Sequence, residues 1–350
     1  MINFTVLQAV RVLGLSMLAF LIAFAITPLV MRFILKINAK KQIRSAADAP
    51  VFNALHKGKE GTPTMGGIIV WATVLTIAFL LFVLAQLFGG FWGYLDFIDR
   101  AQTYLPLAAM LIAALIGFVD DLFGVMRKGP KGGGLPMRHR LLIYFLFSLL
   151  GAYWFFYRLE WDVLNVPFVG NVTIGGWYIP LFIFILVASA FSANETDGLD
   201  GLAGGVMLFA FLALTVVSFA LGRYDLAVLC GVIIGALLAF LWFNIYPARF
   251  FMGDTGSMSL GITIGVVSML TNTTLLLPLF VPIFILESGS VILQIFSKKV
   301  RGKKMFLSTP IHHHFEALGW HETKVTMRFW IVSVICVGLG LTLFFLNRFF

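Results

Sequence analysis

Ten long apolar runs, separated by shorter polar stretches, organise the chain from end to end. They cover roughly residues 12–35, 66–88, 104–120, 141–157, 178–194, 203–221, 225–243, 257–271, 275–297 and 329–347. Each approaches the length of about 20 residues that a helix needs to cross a bilayer. A helix satisfies its own backbone hydrogen bonds in lipid, so the runs predict membrane-spanning α-helices. Gly231/Gly235 and Gly261/Gly265 have the small-xxx-small spacing that lets helices approach closely. Pro278 and Pro282 predict a bend in the ninth run. Between the fourth and fifth runs, "VPFVGNVTIGGWYIP" alternates in polarity around Gly-Asn and Gly-Gly pairs, which predicts a short β-hairpin. No soluble domain, low-complexity tract or internal repeat interrupts the pattern. The expectation is one integral membrane domain over residues 1–350.

Composition excludes the other classes. Apolar residues make up 60% of the chain and charged residues 12%, with a mean hydropathy of +0.97. A soluble domain has about 45–50% and about 25% respectively. Cys230 and Cys336 lie inside apolar runs and imply no disulfide. The first run is long enough to span and leads into a basic loop, as a first transmembrane helix does and a cleaved signal does not. An even number of spans puts both termini on one side. The loops after the odd-numbered spans carry 20 of the 25 Lys and Arg residues, so they are expected to face the cytoplasm, with both termini and the hairpin on the periplasmic side. The same asymmetry accounts for the net charge of +9 without nucleic acid. The basic loops lack the interleaved aromatics that single-stranded nucleic acid requires and suit anionic substrates and lipid head groups instead.

The acids are few, and their distribution carries more information than that of the cations. Asp120 and Asp121 end the third span, Asp197 and Asp200 follow the fifth, and Asp254 follows the seventh, all on the face with the basic loops. Acids at a helix C-terminus are mildly disfavoured by the macrodipole, so a compensating group is expected. Carboxylates around a hard cation, completed by phosphate, form the usual Mg²⁺ arrangement. The polar segments on this face are equally distinctive. "GTPTMGG" (Gly61 to Gly67) follows Lys59, and "NETDGLDGLAGG" (Asn194 to Gly205) separates the fifth and sixth spans. Their glycines are expected to let backbone approach a ligand and to expose N–H groups to phosphate. "FNIYPARFFMGDTGS" (Phe243 to Ser257) joins an Asn, an aromatic pair and an Asp, and "STPIHHHFE" (Ser308 to Glu316) holds three consecutive histidines in a loop. Consecutive side chains diverge, so a three-histidine site for a single metal is not expected, and contact with phosphate or peptide is favoured. Glu287, within the ninth span, is expected to bond Ser288 or Ser290.

Basic loops, a Mg²⁺-like acid cluster and histidines on one membrane face point to phosphoryl chemistry on a lipid. A transporter or flippase of an anionic lipid is the alternative from another class. It would concentrate ionisable groups at mid-membrane depth, where only Glu287 falls.

"GFVDD", "GTPTMGG", "DGLDGLAGG", "FNIYPARFFMGDTGS" and "PIHHHFEALGW" together resemble the phospho-N-acetylmuramoyl-pentapeptide transferase family, within the polyprenyl-phosphate hexosamine-1-phosphate transferases. The motifs run in family order from about residue 56 to residue 330. The resemblance implies transfer from UDP-N-acetylmuramoyl-pentapeptide to undecaprenyl phosphate, giving lipid I and UMP, with Mg²⁺, at the cytoplasmic face of a bacterial inner membrane. It also implies a homodimer. By motif position it implies Asp254 as Mg²⁺ ligand and Asp120, beside Asp121, as the group that deprotonates or positions the lipid phosphate. It places Asn194, Asp197 and Asn244 on the sugar-phosphate side of the nucleotide, and Gly198, Leu199 and Asp200 at the uracil. Phe251 would stack on the uracil and Lys59 would hydrogen-bond it. His312, His313 and His314 would lie near the diphosphate or the muramoyl-peptide. Phe191 and Glu195 depart from the family pattern, and the contact to phosphate from the third cytoplasmic loop is left open among Lys128, Lys131, Arg138 and Arg140. A sister transferase using UDP-N-acetylglucosamine is the nearer alternative, and "PIHHHFE" argues against it.

Overall fold

The structure, a computed structural model, describes residues 4–40, 59, 61–99, 102–126 and 134–349. The described helices are α1 (Phe4–Lys36), α2 (Ile68–Phe88), α3 (Gly90–Leu95), α4 (Tyr104–Val125), α5 (Met137–Tyr153), α6 (Tyr178–Thr196), α7 (Leu202–Ala220), α8 (Tyr224–Asn244), α9 (Asp254–Leu270), α10 (Leu277–Phe280), α11 (Pro282–Arg301), α12 (Ile311–Ala317) and α13 (Glu322–Phe349). Between α5 and α6, β1 (Val163–Val166) pairs antiparallel with β2 (Gly170–Thr173), Val163 opposite Thr173. The hairpin expected from the alternation is therefore present.

Eight helical segments among the described residues are long and apolar enough to cross a membrane, the fourth being α5 with its π-helical continuation Trp154–Arg158, and they match the first seven and the tenth of the expected spans. The other two differ for visible reasons. The eighth is α9, only 17 residues long. The ninth is broken where α10 ends and Pro282 starts α11. Proline there lacks the N–H that would continue the earlier helix. α11 then carries Glu287 and ends on Lys298, Lys299 and Arg301, which lowers its apolar character.

The bundle is built around α9, whose residues from Thr255 to Leu270 are all buried. α4 and α6 flank it, α7 and α8 pack beside them, and α1 covers α8. The glycine pairs set these crossings. A methyl group at Gly235 would lie 2.0 Å from the Ser16 carbonyl oxygen of α1, and one at Gly261 would lie 2.7 Å from the Ser189 carbonyl oxygen of α6. Hydroxyls on buried α9 turn inward: Ser259 and Thr263 donate to the carbonyls of Thr255 and Ser259 at 2.8 and 2.7 Å. They thereby satisfy themselves without a partner helix. The outward faces of α1 and α5 expose Leu13, Met17, Leu21, Phe145 and Leu150, as a lipid-facing surface requires.

Candidate active site

At one end of the bundle the ends of α4, α5, α6 and α9 converge. Asp121, in the last turns of α4, accepts the backbone N–H groups of Asp254 at 3.0 Å and Thr255 at 2.9 Å. It therefore caps the N-terminus of α9, where a negative charge is favoured. Its unfavourable position at the end of its own helix is offset by the N-terminus of a second helix. Gly117 makes this docking close, because a methyl there would lie 2.4 Å from the Asp254 carbonyl oxygen.

Asp120 is buried, 2% exposed. It accepts the Leu135 N–H at 2.6 Å and meets Arg140 Nε at 2.7 Å. The same guanidinium reaches Asp254 through Nη2 at 2.9 Å and donates to Asn194 Oδ1 at 3.1 Å. Asn194 Nδ2 in turn donates to Asp254 Oδ1 at 2.5 Å. Two carboxylates from α4 and α9 are thus held on one planar cation from the first turn of α5, with Asn194 of α6 closing the ring. Of the four candidate loop cations, Arg140 is the one in the acid cluster. Arg138 is exposed, and Lys128 and Lys131 lie outside the described residues.

The "DGLDG" turn supplies the adjoining wall. Asp197 accepts the Gly253 N–H at 3.0 Å. Asn244 is a clip: its Oδ1 accepts the Gly201 N–H at 3.1 Å and its Nδ2 donates to the Phe250 carbonyl at 2.8 Å. Leu199 packs into the apolar core. The expectation that glycine N–H groups are exposed for phosphate is overturned in the positions that can be followed. Gly66 and Gly67 donate to the Phe251 and Met252 carbonyls, both at 2.8 Å, while Gly198 donates to Thr196. These glycines serve close packing: a methyl group at Gly198 would lie 2.1 Å from His312 Nε2.

Beside this wall is a cavity of about 580 Å³, bordered by Lys59, Asp200, Tyr246, Phe251, Trp320 and Glu322 among others. Lys59 Nζ bridges Asp200 at 2.6 Å and Glu322 at 2.5 Å, and lies 5.7 Å from the centre of the Phe251 ring. Asp200 also accepts the Ala248 N–H at 2.9 Å. The site therefore offers aromatic walls and a charged floor, an arrangement that suits a flat heterocycle with polar edges.

The histidines stand on α12, a short helix, where a loop was expected. Gln294 brings the chain back toward them, accepting the N–H groups of Met305 at 2.8 Å and Phe306 at 3.0 Å. The three side chains diverge. His312 Nδ1 meets Glu287 Oε2 at 2.9 Å, His313 Nδ1 meets Glu316 Oε2 at 2.7 Å, and His314 Nδ1 accepts the Leu307 N–H at 3.2 Å. Glu287 therefore holds a histidine, where a bond to its neighbouring serines was expected. Ser290 instead donates to the backbone carbonyl of Glu287, and Ser288 pairs with Ser192.

Residues 103–272 match the family model for glycosyl transferase family 4. The chain is 37% identical over 336 residues to a phospho-N-acetylmuramoyl-pentapeptide-transferase of Clostridium novyi (strain NT), covering 95% of this chain and 97% of that protein. It is 35% identical over 338 residues to the protein of that name from Geobacillus sp. (strain WCH70), covering 96% and 98%. A third, from Listeria welshimeri, is 38% identical over 322 residues, covering 90% and 94%. The chain belongs to the phospho-N-acetylmuramoyl-pentapeptide-transferase family.

Within this transferase family the ring of Asp120, Arg140, Asp254 and Asn194 is the natural place to test for a metal. Among the described residues, no three of His, Cys, Asp and Glu form a ready-made ligand cage, and Asp121 is committed to α9. Asp120 and Asp254 nevertheless present carboxylate oxygens within reach of one cationic group. Mg²⁺ commonly takes one or two carboxylates and completes its shell with water and substrate phosphate, so this donor set fits it. Reading the sequence did not single out Tyr246, Trp320 or Glu322 as cavity walls. Trp320 had a signal in retrospect, since it closes the "PIHHHFEALGW" motif, and Lys324 and Arg328 lie 4.8 and 4.3 Å from its ring.

Proposed function

We propose that the protein transfers phospho-N-acetylmuramoyl-pentapeptide from its UDP-linked form to undecaprenyl phosphate, yielding lipid I and UMP for peptidoglycan synthesis. The reaction takes place at the cytoplasmic face of the inner membrane and depends on Mg²⁺. The observation that carries this reading is the pair of carboxylates from α4 and α9 held on one guanidinium, next to an aromatic-walled cavity.

In the reaction a lipid phosphate oxygen replaces UMP on the phosphorus attached to the sugar. One P–O bond forms, and the bond between the two phosphoryl groups breaks. The uracil lies in the 580 Å³ cavity against Phe251, with Lys59 at its edge, and Asp200 and Glu322 hold Lys59 in place. The diphosphate then extends toward Asn194 and Arg140. Arg140 is the phosphate contact of its loop, because its guanidinium can exchange a carboxylate for a phosphoryl oxygen in the same fork geometry. Asp120 accepts the proton of the lipid phosphate or orients it, a role for which its buried position beside Arg140 suits it. Mg²⁺, held by Asp254 with Asp120 adjacent, would neutralise the charge of the diphosphate. His312 and His313, fixed by Glu287 and Glu316, face the muramoyl-peptide side. The working protein is a homodimer within the bilayer.

Purified protein given undecaprenyl phosphate and either radiolabelled UDP-N-acetylmuramoyl-pentapeptide or radiolabelled UDP-N-acetylglucosamine tests the assignment. Lipid-linked label is expected from the first donor only. Product from the second alone would reassign the protein to the sister transferases.

A further inference from the structure

The end of the bundle opposite Asp120 and Asp254 holds a second cavity, of about 280 Å³. Its walls come from the β1–β2 hairpin, the turn between α9 and α10, the turn between α7 and α8, and the C-terminal end of α13. Two arginines meet there. Arg223 donates one N–H to the Leu270 carbonyl at 2.6 Å and lies 5.6 Å from the Trp161 ring centre. Arg348 donates one to the Ala220 carbonyl at 3.2 Å. Each guanidinium has five N–H donors, so most are unused among the described residues. Among the described residues no carboxylate pairs with either. Burial pulls the Arg223 pKa downward, as expected for a cation without a counter-charge.

The asparagines of the cavity reinforce this imbalance. Asn165 Nδ2 donates to Asn171 Oδ1 at 2.9 Å, the Asn165 N–H donates to Asn272 Oδ1 at 3.0 Å, and Asn347 Nδ2 donates to Asn165 Oδ1 at 3.2 Å. The carbonyl oxygens of Asn171 and Asn272 are thereby occupied within the protein, while their amide N–H₂ groups have no acceptor among the described residues. The cavity offers donors in excess and no acidic side chain. Its remaining lining is largely apolar and includes Leu221, Leu276 and Phe344.

The other cations on this side are accounted for differently. Arg11 is paired with Asp225 at 2.7 Å, Arg158 lies 5.9 Å from the Trp154 ring centre, and Arg100 is outside the described residues. A membrane protein that keeps most of its cations on the opposite side has thus brought two of the few remaining arginines into one recess. We propose that this cavity binds a phosphate group, carried by an anionic phospholipid of the adjacent leaflet. Guanidinium forks match phosphate oxygens, the amide donors supply neutral hydrogen bonds, and the apolar rim accepts the glycerol and the start of the acyl chains. Such a lipid would brace the hairpin against α13.

The test uses the intact protein in detergent, with phosphatidylglycerol and phosphatidylcholine added in competition and bound lipid read by native mass spectrometry. Wild type is expected to retain phosphatidylglycerol selectively. Arg348→Gln, at an exposed position and far from the transferase site, is expected to reduce that retention about tenfold, as loss of one charge-assisted hydrogen bond would. UMP release should stay unchanged in this variant, as should the melting temperature of the delipidated protein. Arg223→Gln should weaken retention too, and Arg223→Lys should restore part of it. Equal retention of the two lipids, or equal phosphatidylglycerol retention by wild type and Arg348→Gln, would overturn the proposal. A second arm adds inorganic phosphate alone. If it raises the melting temperature of wild type and not of Arg348→Gln, while no lipid selectivity is seen, the lipid source is overturned in favour of a soluble anion.

Discussion

Asp121 and Asp254 touch each other, yet they do different work. Asp121 holds the first two N–H groups of α9, so Asp121→Ala should lower thermal stability by about 1–2 kcal/mol through loss of the cap. A melting curve would show this as a lowered midpoint. Asp254 contributes only its backbone to that cap, and its side chain faces Arg140 and Asn194. Asp254→Ala should therefore abolish transfer with little change in melting temperature, and wild-type-like turnover would contradict the metal assignment. At this scale the acids were legible because carboxylates are rare in so apolar a chain. The role of Arg140 was not, since four cations in one loop look alike until the fold selects one. The N–H groups of Gly66 and Gly67 find acceptors far away in sequence, Phe251 and Met252, partners that local pattern cannot reveal.

Helices obey the same division between local and distant causes. Hydrophobic runs located the spans because lipid demands length and apolarity, and those requirements are local. The hairpin was equally legible, its pairing being set by neighbouring residues. Pro282 predicts the bend from its own chemistry, whereas no local pattern predicts α12. Its seven residues are held as much by Glu287 on α11 as by their own propensity. The glycine pairs give the sharpest element-scale test. Gly235→Leu would force α8 off the Ser16 carbonyl of α1, with an expected destabilisation of about 1–3 kcal/mol from overpacking. Gly289→Ala on α11, where an added methyl meets nothing within 4 Å, should leave stability unchanged or slightly raised. Thermal unfolding of the two variants side by side checks both expectations, and an equal effect would argue against backbone contact as the reason for the pair.

Across the whole molecule, the gathering of basic loops and informative acids on one face, read from the chain, becomes a physical separation. Lys59, Asp120, Arg140, Asn194, Asp200, Asp254, His312 and Glu322 all gather at one end, and the Arg11–Asp225 pair and the asparagine network occupy the other. The clustering follows from span order alone, whereas the cavity's depth and its aromatic walls needed the fold. Because Asp120 and Asp254 bring two negative charges to a diphosphate substrate, turnover is expected to stop in excess chelator and to return on adding Mg²⁺; full activity under chelation would exclude the proposed metal.

UMP release from purified protein in proteoliposomes supplied with undecaprenyl phosphate and UDP-N-acetylmuramoyl-pentapeptide separates a transferase from a transporter. One UMP is expected for each lipid-linked sugar formed. Substrate carried across the membrane unaltered, with no UMP released, would contradict it.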